Sequence, residues 1–189
     1  PKTLLTDSSE KITYKPLAYT EESIPKYINY VLQLEAVACK DWLTNKVDRS
    51  VTGKVATQQT TGPVQLPLNN VAVMAIDYRG LKGVATSLGH APIAGLISPT
   101  AGSRLAIAEA LTNLVWAPLS HGIKGVSLSA NWMWPAKTAG ENARLYEAVE
   151  GISEFAQELG INIPTGKDSL SMTQKYPDGK TVYSPGTVI

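Results

Sequence analysis

One cysteine, Cys39, stands among 189 residues, which excludes an internal disulfide and leads to the expectation of a cytoplasmic protein. Charge of either sign is scarce: Lys and Arg total 17 against 16 for Asp and Glu, a formal net of +1. That balance gives no electrostatic basis for binding nucleic acid or an anionic membrane surface. No apolar run approaches the roughly 20 residues that cross a bilayer, so no membrane span is expected. No basic-then-apolar leader opens the sequence, so a signal peptide is not expected either. Histidine is nearly absent. His90 and His121 lie far from Cys39 in sequence, and that thiol reads as buried or incidental rather than as a nucleophile. Repeats and low-complexity tracts are also missing.

What is present is ordinary for a soluble domain with one core: 43% apolar and 17% charged residues. Fifteen glycines and twelve prolines are dispersed and serve as turn punctuation. The chain starts at Pro1 and stops in the β-branched run Thr187-Val188-Ile189, from which a piece of a longer protein is expected.

Residues 1–23 read as a connector, and apolar residues at helical spacing (Ile24, Tyr27, Ile28, Val31) predict a helix from Glu21 to Leu34. A short helix over Glu35–Trp42 is expected next, followed by β-type sequence from Val51 to Thr61 that ends at Gly62-Pro63. Asn70–Tyr78 reads as a buried strand, and Val84–Leu88 and Ile93–Ile97 as two further strands or strand edges. Ser98-Pro99 offers a cap with proline at the first helical position. Leu105, Ala108, Leu111 and Val115 then mark one face of the helix that follows. Val126–Trp132 alternates as a half-buried strand. Glu141–Leu159 is the clearest helix: Leu145, Ala148, Val149, Ile152, Phe155, Ala156 and Leu159 form one stripe, and Gly160 stands where a C-terminal glycine cap belongs. Ile161–Ile163 restarts as a strand, and residues 183–189 are set apart as the opening of a companion domain behind a main domain of residues 24–182. Strands in a block, then strands alternating with helices, predict an α/β (α+β) domain with helices on one face of a mixed β-sheet.

Three groups carry candidate chemistry. Glu109 and Asn113, four apart on a helix, point to the same side. A carboxylate and a carboxamide are hard oxygen ligands of the kind Mg²⁺ takes, and they also fit a solvated polar stripe. Gly166-Lys167-Asp168-Ser169 follows a strand as either a plain turn or a loop that binds phosphate or a substrate amide; its glycine spacing is not that of a P-loop. Asn69-Asn70 opens a strand, where the two amides either cap a turn or bind a ligand. Trp132 and Trp134 read as packing residues, since no basic cluster interleaves with them.

Ordered strings along the chain narrow these alternatives. DRSVTG (Asp48 to Gly53), TGPVQLPLNNVAV (Thr61 to Val73), HAPIAG (His90 to Gly95) and SRLAIAEALTNL (Ser103 to Leu114) resemble segments of the formylglycinamide ribonucleotide amidotransferase family. So do SLSANWMW (Ser127 to Trp134), ENARLYEAV (Glu141 to Val149) and TGKDSLSM (Thr165 to Met172), in the family's order. The resemblance implies an N-terminal-type domain, like that of aminoimidazole ribonucleotide synthetase, from the second half of the synthetase core. Its partners would be the remaining domains of one parent chain: the first synthetase half, a companion domain and a glutaminase. In that family ATP phosphorylates an amide oxygen and ammonia displaces the phosphate. Carried over by resemblance, Glu109 and Asn113 match Mg²⁺ ligands at a bound ATP or ADP, and Asn69 matches a nucleotide contact. Asn70 falls where many relatives have a metal-binding aspartate, which removes one negative charge from the site. Gly166, Lys167, Asp168 and Ser169 match a signature near the phosphate or substrate cleft. Two further implications stand side by side: a share in a Mg–nucleotide site, catalytic or structural, and a scaffold role without catalytic residues. An excised chain of this kind is expected to be inactive alone and prone to self-associate through faces its partners would cover.

Overall fold

The computed structural model describes residues 18–34, 37, 54–57, 63 and 71–189. Contacts among them fall into two compact units that divide between Ala85 and Thr86.

In the earlier unit, Glu21–Ser23 forms a short 3₁₀ turn that leads into helix α1, Ile24–Leu32. Pro25 sits in its first turn, as the sequence predicts. The apolar residues of α1 are at helical spacing, yet none is buried. Strand β1, Val55–Thr57, pairs antiparallel with β2, Val71–Ala75, and strand β3, Gly83–Ser87, completes this sheet in the order β1-β2-β3. The run expected as a fully buried strand alternates instead. Val71 is buried while Ala72 and Met74 are exposed, so the apolar continuity of the sequence does not translate into two covered faces. The β2–β3 turn is fastened by Asp77, whose carboxylate accepts from the N–H groups of Arg79 and Gly80 and is thereby held below its ordinary pKa. The helix expected at Glu35–Trp42, most of the β-type run around Val51–Thr61, and Cys39 lie outside the described residues.

The later unit is organised around the mixed sheet β5-β4-β8. Strand β4, Ser127–Met133, lies parallel to β5, Asn162–Ser169, and antiparallel to β8, Thr187–Val188. Between the last two, β6 (Thr173–Lys175) and β7 (Thr181–Tyr183) form an exposed hairpin. Of residues 183–189, which the sequence assigns to a companion domain, Thr187–Val188 form β8 of this sheet: Val188 is a core residue, and Asn131 and Ile189 exchange both backbone hydrogen bonds.

Three helices accompany the sheet. Helix α2, Pro92–Ile97, replaces the strand expected at Ile93–Ile97. A short apolar run does not by itself separate helix from strand, and Pro92 at the first helical position decides for helix. Helix α3, Pro99–Leu114, begins as expected, with Ser98 Oγ accepting from Ala101 N at 3.2 Å. Such a cap contributes about 1 kcal/mol. Helix α4, Glu141–Leu159, has the bounds read from the sequence, and Gly160 closes it at φ 69°, a left-handed conformation that glycine adopts without strain.

The core joins Ala106 and Ile107 of α3, Ile152 and Ala156 of α4, Ala130 of β4 and Val188 of β8. Helices therefore cover one face of the sheet. The two long helices approach closely because Gly151 faces Thr100; a Cβ at Gly151 would stand 2.6 Å from Thr100 Cγ2. Arg104 of α3 ties the pair at its rim, reaching Glu154 Oε2 at 3.1 Å. Arg144 of α4 donates to the carbonyls of Gly95 and Leu96 at the end of α2, at 2.6 and 2.9 Å. No helix among the described residues is long and apolar enough to cross a membrane.

Candidate functional site

Glu109 and Asn113 stand on one side of α3, as their spacing requires. Both reach the segment that leaves β3. His90 N–H donates to Glu109 Oε2 at 2.8 Å, and Asn113 Nδ2 donates to the carbonyl of Leu88 at 2.9 Å. Just before them in sequence, Ser87 Oγ donates to the carbonyl of Ala110 at 2.7 Å. The segment between these anchors lies directly on the helix: a Cβ at Gly89 would fall 2.1 Å from Ala106 O and 2.4 Å from Ala110 N. Only glycine fits that approach. The result is a carboxylate and a carboxamide held on a rigid helix, each with a partner in the Leu88–His90 segment.

The Glu109 carboxylate is about half exposed (46%), and His90 Nδ1 lies 3.9 Å from its Oε2. Among the described residues no group of three or more His, Cys, Asp or Glu side chains gathers to hold a metal ion. A cation here would take one carboxylate and amide oxygens and complete its shell from elsewhere. That donor set fits Mg²⁺, which keeps several waters or phosphate oxygens and takes only one or two protein ligands, and it does not fit a metal that needs a full protein cage. Asn69 and Asn70 lie outside the described residues.

Gly166, Lys167, Asp168 and Ser169 do not form the loop that the sequence suggested. They are the C-terminal half of β5, in register with Ala130, Asn131, Trp132 and Met133 of β4. Pro164, which cannot donate to a ladder, falls at the register shift between the pairs Ser127–Asn162 and Ser129–Thr165, and beyond it the strand resumes. Gly166 is required there, since a Cβ would lie 2.3 Å from Ala130 O. Lys167 Nζ donates to Ser169 Oγ at 2.8 Å. This group lies on β5 and the Glu109–Asn113 pair on α3; no ion pair among the described residues joins Lys167 to Glu109.

Among the described residues two side-chain polar atoms are buried without a hydrogen-bond partner: Asn131 Oδ1 and Trp134 Nε1. Trp134 is a packing residue, 1% exposed, with its ring against Gly186. Asn131 had one signal in the sequence, an amide between Ala130 and Trp132 in the middle of a strand. A mostly apolar cavity of about 400 Å³ borders Gly89, Ala106, Ala130 and Ile152, and neither Glu109 nor Asn113 lines it.

Comparison with known proteins bears on this arrangement. Residues 39–189 match the FGAR-AT PurM_N-like domain family. The chain is 48% identical over 167 residues to phosphoribosylformylglycinamidine synthase of Homo sapiens, covering 88% of this chain and 12% of that protein. It is 50% identical over 159 residues to the probable chloroplastic/mitochondrial phosphoribosylformylglycinamidine synthase of Arabidopsis thaliana, covering 84% and 11%. With the Dictyostelium discoideum phosphoribosylformylglycinamidine synthase it shares 44% over 201 residues, covering 100% and 15%. The chain thus spans 11 to 15% of the length of these relatives. Its fold is similar to that of PurLQS from Thermotoga maritima, with a TM-score of 0.57 at 15% identity, over 80% of this chain and 23% of that one. The family match over most of the chain and the identity to these synthases agree with the ordered motifs, and the chain belongs to the FGAR-AT PurM_N-like domain family.

Proposed function

We propose that the chain is the N-terminal-type synthetase domain of a cytoplasmic phosphoribosylformylglycinamidine synthase, where Glu109 and Asn113 contribute oxygen ligands to a Mg²⁺–nucleotide site. The observation that carries the reading is the pairing of a carboxylate and a carboxamide on one side of α3, both fixed by the segment after β3. Asn70 would add a third, uncharged oxygen, Asn69 a nucleotide contact, and Gly166 to Ser169 part of the wall of the substrate cleft. In the reaction, ATP phosphorylates the amide oxygen of formylglycinamide ribonucleotide, and ammonia from glutamine then displaces phosphate to give the amidine. When bound, Mg²⁺ neutralises charge on the polyphosphate. The protein side of that task is placement. Glu109 supplies the negative charge that retains the cation, and the anchored Leu88–His90 segment keeps its carboxylate from rotating away. The first synthetase half, the companion domain and the glutaminase complete the enzyme, and the isolated chain has no synthetase activity.

A second reading has its own observation. Glu109 Oε2 and Asn113 Nδ2 already serve the Leu88–His90 segment, so both residues also suit a purely architectural role in a scaffold domain. Glu109→Gln in the full-length enzyme separates the two, because glutamine still accepts from His90 N–H while the charge is gone. The metal reading expects less nucleotide retained through purification and about a tenfold or greater rise in the Mg²⁺ needed for half-maximal amidine formation. Unchanged nucleotide content and turnover would move the scaffold reading to the front.

A further inference from the structure

A half-paired strand and an apolar cavity meet at one place in the later unit. Strand β4 pairs with β5 from Ser127 to Met133. On its other side the pairing is shorter. Met133 and Trp132 lie opposite Thr187 and Val188 of β8, and Asn131 and Ile189 exchange both backbone hydrogen bonds, at 2.8 and 3.0 Å. Beyond Asn131, no strand among the described residues pairs with that side of β4.

Alternation fixes where each amide points. Asn131 N–H is directed to the β8 side and Trp134 N–H to Ser169 of β5, so Ser127 and Ser129 also present N–H and C=O to the β8 side. These are the next two hydrogen-bonding positions of the antiparallel ladder, and both residues are exposed. Side chains alternate too. Leu128, Ala130 and Trp132 face the core, as does Val188 opposite Trp132. The cavity of about 400 Å³ lies along this open stretch, bordered by Leu128, Ala130 and Ile189 and, across from them, by Gly89, Ala106 and Ala110. An open edge is a template for a further strand, and an apolar void leaves its lining without contacts.

We infer that the segment of the parent polypeptide that continues β8 past Ile189 completes both features. It runs antiparallel to β4, pairs with Ser129 and then Ser127, and turns alternate apolar side chains into the cavity, the first opposite Ala130 and the next opposite Leu128. The chain spans 11 to 15% of the length of its relatives, so the parent has polypeptide to supply such a segment. Ile189 already holds the register at Asn131. Continuing that strand closes no new loop, whereas any other segment must first be brought there at an entropic cost. The receptor sets the chemistry of its occupant: apolar residues at every second position, and no proline opposite Ser129 or Ser127, where an N–H must donate. This role is independent of the metal site proposed at Glu109.

The test follows amide hydrogen exchange by NMR in this chain and in the same chain lengthened by about six of the parent's following residues. Ala130 and Trp132, whose N–H groups point to β5, report that the sheet is formed. Against that gauge Ser129 is expected to exchange fast in the unextended chain. The extension is expected to slow it about a hundredfold or more relative to Ala130. An extension with serine at its core-facing positions is expected to lose most of that protection, because the cavity is then left without apolar contacts. Equally fast exchange of Ser129 with and without the extension would overturn the inference. So would protection in the unextended chain that rises with protein concentration, which assigns the edge to a second copy. Should Ala130 be unprotected in both short chains, the full-length enzyme decides by exchange and mass spectrometry. Proline at the second position past Ile189 is expected to release Ser129 there, and a Ser129 that stayed protected would assign the edge to another segment of the parent.

Discussion

Helices α3 and α4 lie in one layer and pack against the same sheet, yet the apolar spacing in the sequence marks the buried side of α4 far better than that of α3. Helix α4 turns inward Ala148, Gly151, Ile152 and Ala156, with Leu145, Phe155 and Leu159 half-buried beside them, which is the stripe visible in its sequence except that Val149 is exposed and Gly151 joins the buried side. Helix α3 buries Pro99, Gly102, Ser103, Ala106, Ile107 and Leu114, and leaves Leu105 half exposed at 50%. Of the face expected from Leu105, Ala108, Leu111 and Val115, Leu111 packs partly buried against the core and Ala108 is half-buried, while Leu105 and Val115 are exposed. The difference lies in the distance between backbones. Helix α3 is touched on three sides at close range: by Gly95 of α2, by Gly89 of the preceding segment and, at its start, by Gly151 of α4. At those approaches small residues face inward, here Gly102, Ser103 and Ala106, while Ile107 and Leu114 are buried beside them and Leu105 is left outside.

That comparison is most sharply broken by removing bulk from α4. Ile152 is 4% exposed and packs in the cluster formed by Ala106, Ile107, Ala130 and Val188. Ile152→Ala is expected to cost about 3 kcal/mol in urea unfolding, the transfer free energy of the lost atoms plus a residual cavity. A loss below about 1 kcal/mol would mean that the α4 stripe is not the main apolar contact of this unit.

Adding bulk to α3 tests the other half. A Cβ at Gly102 would lie 2.5 Å from both Cα and N of Gly95, against backbone that has no side chain to rotate away. Gly102→Val is expected to destabilise by about 2 kcal/mol through forced separation of α2 from α3, despite the better helix propensity of valine over glycine. The measurement is again urea unfolding, paired with Gly122→Val as a control, since a Cβ at Gly122 meets nothing within 4 Å and carries only the penalty of its positive φ. Gly102 has helical backbone and no positive φ, so a loss below about 0.5 kcal/mol in Gly102→Val would show that α2 and α3 separate there at little cost and that close packing does not require the glycine.

The same physics separates what the sequence disclosed from what it withheld. Helix α4 and Gly160 were legible because large apolar residues at helical spacing and a glycine stop are local signals. The start of α3 at Ser98-Pro99 was legible for the same reason. Its buried face was not, because small residues carry no hydrophobic signature and their burial depends on partners brought near by the fold. Strand β5 was seen only as far as Ile163; its continuation through Gly166 to Ser169 depends on β4 alongside. At the candidate site, the common side of Glu109 and Asn113 followed from spacing alone. Their hold on His90 and Leu88 did not, since those partners lie 19 and 25 residues away. Asn131 escaped for a related reason: an amide in a strand is conspicuous only when its neighbours fail to satisfy it.

The smallest expected effect tests the assignment of faces most directly. Leu105 lies on α3 between the buried positions Ser103 and Ala106, and a reading by apolar periodicity makes it a core residue. Buried, its truncation to a polar side chain would cost several kcal/mol. At 50% exposure it retains much of its contact with water in the folded chain, and Leu105→Ser is expected to change the stability of this chain by only about 0.5 kcal/mol. The exposed apolar surface nearby includes Trp116, 87% exposed just past the end of α3. If the full-length enzyme covers this face, the same Leu105→Ser substitution will cost clearly more there than in the isolated chain. A substitution nearly silent in one context and costly in the other would mark Leu105 as an interface residue, and equal small losses in both would leave it a solvent-facing leucine.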